Sequence, residues 1–77
     1  MKACVLLRCR PGTYREVVKR IENMIDVKTV FPSLGRWEVV LKLEANNVRG
    51  LANAVRRLRA IEEIEFSETL IELPGAG

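Results

Sequence analysis

Apolar positions along the chain change period several times, and each change marks an element. Residues 3–10, ACVLLRCR, are apolar at nearly every position, which suits a short strand buried on both faces. Pro11-Gly12 breaks that strand, and Thr13 followed three residues later by Glu16 has the spacing of a capping box that opens a helix. Val17, Val18, Ile21, Met24 and Ile25 then recur at three- and four-residue spacing, with Arg15, Lys19, Arg20 and Glu22 on the wet side. Asp26 to Phe31 reads as a second strand in which Val27, Thr29 and Phe31 alternate with Lys28 and Val30, closed by Pro32-Ser33 and Gly35. Arg36 to Ala45 alternates most strongly: Trp37, Val39, Leu41 and Leu43 share one face, and Glu38, Val40, Lys42 and Glu44 the other. Asn46 or Asn47 caps a second helix with the stripe Val48, Leu51, Val55, Leu58 and Ile61. Ile64 to Leu73, IEFSETLIEL, predicts the last strand, and residues 74–77 a frayed tail.

Strand, helix, strand, strand, helix, strand is the order of an α+β, ferredoxin-like βαββαβ domain, a four-stranded antiparallel sheet with both helices on one face. The other face is then uncovered. Val5 and Leu7, half of the apolar first strand, are expected on it together with Val40, so a second sheet is the natural cover and the domain is expected to dimerise through that face. A standard stable interface buries about 800 Å² per partner, roughly the area of one sheet face. The 77 residues leave room for a single domain, 1–77, and a monomer of that size buries too little surface to be robust alone.

Composition removes most other classes. An apolar fraction of 48% and a charged fraction of 30% point to a folded, soluble chain. No stretch approaches the roughly 20 apolar residues of a membrane span, and Met1 to Leu7 lacks the length and cleavage site of a signal peptide, so a cytoplasmic protein with no membrane partner is expected. The net charge of +3 is modest, and Arg49, Arg56, Arg57 and Arg59 read as the solvated face of a helix. Without an RNP-like aromatic run, direct nucleic-acid contact is not expected. Histidine is absent, which removes the usual general base and the commonest metal ligand. The acids at Glu62-Glu63, Glu65 and Glu68 have neither nucleophile nor metal ligand beside them, and no glycine run forms a nucleotide cradle. No catalytic residue, metal or cofactor is therefore expected. Cys4 and Cys9 lie five apart, on opposite sides of one strand, where they can neither pair nor chelate together. Glu38, facing the side without helices, is the acid that most needs a partner, be it water, a cation or a ligand amine.

The order and spacing of several short segments resemble the effector-binding (RAM) domain of the Lrp/AsnC family of feast/famine regulators. They are the apolar opening strand ending in Pro11-Gly12, Gly35-Arg36-Trp37-Glu38 before Val39-Val40-Leu41, Leu58-Arg59-Ala60-Ile61, and Glu68-Thr69-Leu70-Ile71. The resemblance implies dimers built by sheet-to-sheet packing, octamers or other rings of dimers, and a free amino acid bound between dimers. Carried over residue by residue, it makes Gly35, Glu38 and Thr69 effector-binding candidates, with Leu34, Arg36 and Ser67 beside them. The family usually has Asp where this chain has Glu38, and the longer acid takes up pocket space. Full-length members carry an N-terminal helix-turn-helix, so this chain reads as a stand-alone version that acts on transcription by joining assemblies with a full-length regulator or by buffering the effector. The alternative is a structural or interaction module of the same fold that binds no small molecule.

Overall fold

The computed structural model describes residues 1–73 and Gly75. Its elements are β1 (Lys2–Cys9), α1 (Tyr14–Glu22), β2 (Val27–Pro32), β3 (Val39–Glu44), α2 (Val48–Arg59) and β4 (Ile64–Ile71). They form one sheet of order β2-β3-β1-β4 with every neighbouring pair antiparallel, the ferredoxin-like arrangement. The tail expected at 74–77 lies outside the described residues, Gly75 excepted.

The core lies between the sheet and the two helices. Ala3, Val5, Leu7 and Cys9 from β1, Val39, Leu41 and Leu43 from β3, Val17 and Ile21 from α1, and Leu51, Ala54 and Leu58 from α2 are all buried. This corrects the placing of Val5 and Leu7 on the dimer face: both are at 0% exposure beneath the helices. An apolar strand in the middle of a sheet does not announce its faces through hydrophobicity. Lys2 and Arg8, at even positions and exposed, are the residues that do. The opposite face of β1 carries Cys4 and Leu6, and Leu6 is directly opposite Val40. Val40 therefore does lie on the face away from the helices.

Local chemistry explains where other elements differ from expectation. The β2–β3 register shifts between Val27 and Thr29, so Val27 is opposite Leu43 and Val30 opposite Leu41, whereas Thr29 is opposite Lys42 and Phe31 opposite Val40. A bulge at Lys28 thus puts Val27 with Val30 against the core and Phe31 on the open face, a phase that simple alternation misses. The side chain of Thr13 does not cap α1; its hydroxyl donates to the Arg10 carbonyl at 2.7 Å. α1 stops at Glu22, leaving Ile25 88% exposed in the turn before β2. Asn47, not Asn46, caps α2 by accepting the Gly50 N–H at 2.8 Å. In that helix Ala54 joins the buried stripe, while Val48 is exposed. Each helix is tied by an ion pair to the segment that follows the other helix, Arg20 of α1 to Glu63 at 3.2 Å and Arg57 of α2 to Asp26.

The open face of the sheet is apolar at its centre. Leu6 and Val40 are half-buried, flanked by Phe31 at 44%, Leu70 at 52% and Phe66 at 63% exposure. Register places Leu70 opposite Cys4 and Phe66 opposite Arg8, with Lys42 and Glu68 also on this face. No helix among the described residues is long and apolar enough to cross a membrane.

Candidate functional site

The third strand begins at Val39, later than its alternation suggests, because residues 33–38 close a hydrogen-bonded loop between β2 and β3. The Ser33 N–H donates to the Glu38 carbonyl at 2.8 Å, and the Ser33 hydroxyl donates to the Trp37 carbonyl. Gly35 in the middle has φ +138, a conformation that side-chain-bearing residues rarely adopt, although a Cβ there would meet nothing within 4 Å. Glycine is needed for the path of the backbone and not for close approach. Trp37, expected to share the strand's core face, is instead half-buried in this loop, with the Arg36 guanidinium 5.7 Å from the centre of its ring.

Glu38 fastens the loop to β1. Its N–H donates to the Leu7 carbonyl at 2.9 Å, and its Oε1 accepts the Cys9 N–H at 3.0 Å. Among the described residues no donor reaches Oε2. The Cys9 thiol beneath is pushed up to about 11, first by burial and then by the charges of Glu38, Glu63 and Glu65, so it is a neutral thiol at physiological pH.

Beside this loop, the end of β1 and the start of α1 enclose a cleft of about 650 Å³. Leu34, Gly35, Arg36 and Glu38 all line it, joined by Arg8, Tyr14 and Glu65. Four of the six effector candidates thus come together. The other two do not line this cleft: Ser67 and Thr69 are opposite Leu7 and Val5, on the helix side of β4, and line a separate cleft with Val55 and Arg59. Ser67 also borders a third hollow, with Arg8, Arg36 and Trp37. Arg8 was missed by sequence reasoning; a lone charge at an even position of an otherwise apolar strand was the available signal. The ion pairs of the described residues include none of Arg8, Arg36, Glu38 and Glu65, so both signs of charge border the cleft outside those pairs. Such an arrangement can hold a small zwitterion. No group of three or more His, Cys, Asp or Glu side chains among the described residues could hold a metal ion.

The sequence model of the Lrp/AsnC ligand binding domain matches residues 2–73 of the chain. The chain belongs to the Lrp/AsnC family. The matched unit is the ligand-binding one, and the curated relatives that share it are HTH-type transcriptional regulators. It is 27% identical over 71 residues to the HTH-type transcriptional regulator FL11 of Pyrococcus furiosus, a match that covers 92% of this chain and 47% of that regulator. The chain spans about half the length of the curated relatives it matches. Among solved structures, a hypothetical protein from Pyrococcus horikoshii superposes with a TM-score of 0.89 at 25% identity, covering 94% of this chain and 88% of that one. AsnC of E. coli gives 0.88 at 18% identity, over 97% of this chain and 52% of that one, a likeness of fold.

Proposed function

We propose that this Lrp/AsnC domain binds a free amino acid as an effector and assembles with copies of itself, as a single domain acting in the cytoplasm on transcriptional regulation. The observation that carries the reading is the cleft beside the 33–38 loop, where unpaired guanidiniums and carboxylates meet on a unit whose family model is a ligand-binding domain. The free oxygen of Glu38 suits an ammonium group, and Arg8, Arg36 and the turn amides around Gly35 suit a carboxylate. Ser67 borders the adjoining hollow with Arg36, whereas Thr69 completes the site only if a second copy brings its β4 to the loop of the first.

The open sheet face supports self-assembly. Leu6, Phe31, Val40, Phe66 and Leu70 form an apolar patch, and a second copy placed face to face covers it on both sides at once. Dimers joined through further contacts into an octamer or another ring, or mixed with a full-length Lrp/AsnC regulator, are the assemblies that would transmit the effector signal to DNA.

A thermal-shift screen of the chain against the twenty amino acids tests the reading, since a ligand that binds the folded state must raise the melting temperature by mass action. A rise with one or a few amino acids is expected, and flat curves with all of them at millimolar concentration would remove it. One observation favours a module that binds no small molecule: Glu38 already has a structural partner in the Cys9 amide. That reading predicts flat curves together with an oligomeric mass.

A further inference from the structure

A neutral amino acid needs one carboxylate and one cationic anchor, yet two guanidiniums border the cleft. Arg8 comes from the central strand β1 and Arg36 from the loop, and both line the cleft of about 650 Å³ and the adjoining hollow of about 380 Å³. Each is placed by its own support: Arg36 by the Trp37 ring 5.7 Å from its guanidinium, Arg8 by strand pairing opposite Phe66. Stacking on an indole face uses the plane of a guanidinium and leaves its N–H edge free to donate. The acids of the same cleft are Glu38 and Glu65, and both act on the Cys9 thiol. Glu38 is half-buried with one oxygen committed to the Cys9 N–H, and Glu65 is exposed, as are both arginines, so water screens all three of these charges. The cleft is therefore bordered by two guanidiniums, one half-buried acid and one exposed acid.

Resting on the amino-acid reading above, we propose that Arg8 and Arg36 form a double anchor that makes the site selective for an α-amino acid with a second carboxylate. The ammonium group meets Glu38, the α-carboxylate one guanidinium and the side-chain carboxylate the other. A neutral ligand leaves one guanidinium without a partner, and a basic side chain meets like charge.

Aspartate against asparagine, and glutamate against glutamine, are near-isosteric pairs, so the difference within each isolates the side-chain charge. Calorimetry on the full chain should show the acid of a pair binding about tenfold tighter than its amide, the low end of the range for a hydrogen bond to a charged group because both arginines are exposed. Arg8→Gln and Arg36→Gln, checked for unchanged circular dichroism and mass, should each reduce that preference. Added salt should reduce it too. Amides that bind as tightly as the acids overturn the selectivity and leave the amino-acid reading standing, as does a preference that survives in both variants. If no amino acid gives heat, both fall.

Discussion

Replacing Val40 with lysine separates assembly from folding. Val40 is half-buried on the open face, between Leu6 on β1 and Phe31 on β2 in the sheet register, and contributes nothing to the core beneath the helices. Covering such a side chain with a second sheet is worth about 1.5 kcal/mol, the low end for a valine already partly buried. A two-fold interface contains the residue twice, so loss of its packing alone costs the dimer about 3 kcal/mol, and burying two ammonium groups adds to that. At 1.4 kcal/mol per tenfold, the dissociation constant should rise at least about a hundredfold. Sedimentation velocity should show Val40→Lys as a monomer at micromolar concentrations at which the wild type is assembled, while far-UV circular dichroism keeps its helical signal. Leu7→Lys is the contrast, because Leu7 is wholly buried beneath the helices and the variant should unfold. A Val40→Lys protein with the wild-type mass would refute the assignment of this face to self-association.

Two other consequences follow from the site. Burial pushes the Cys9 thiol up from its ordinary 9.0 to about 11, so the folded state holds its proton more tightly. The stabilisation is full below about pH 9 and is lost as pH rises through about 11. Urea melts at neutral and alkaline pH should show this loss in the wild type and less of it in Cys9→Ala; an equal loss in both would assign it to other groups. Gly35→Ala places a Cβ at φ +138 with open space around it, so backbone strain alone should destabilise the chain by about 1–2 kcal/mol, read as a lower denaturation midpoint with an unchanged slope. No destabilisation would mean that the 33–38 loop relaxes at no cost.

The element order was legible from period alone: helical spacing in Val17 and Ile21, strict alternation in Val39, Leu41 and Leu43, and turn residues at Pro11-Gly12 and Pro32-Ser33 all fall where the fold needs them. What was not legible depends on partners distant in sequence. β1 is apolar at its centre, so hydrophobicity does not say that Val5 and Leu7 go inward and Leu6 outward; only Lys2 and Arg8 at its ends carry that phase. The bulge that reverses the phase of β2 is a property of its register against β3, with no local signature beyond Lys28 itself. Thr13 carries the residues of a capping box, but its hydroxyl finds the Arg10 carbonyl first. At the site, the Gly35 to Glu38 run was readable as a segment. The bond from the Cys9 amide to Glu38 spans 29 positions, and Arg8 reaches the cleft from another strand, so neither follows from spacing.

Whether a free amino acid occupies the cleft at Glu38 is decided most directly by isothermal calorimetry of the wild type and Glu38→Gln with the amino acid that gives the largest thermal shift. Glutamine can still accept the Cys9 N–H, so the loop should stay in place while the charge facing the ligand ammonium is lost. Removing that charged hydrogen bond should weaken binding roughly ten- to a hundredfold, with the oligomeric mass unchanged. An affinity equal in both proteins, or no binding heat from the wild type, would contradict an effector site at this position.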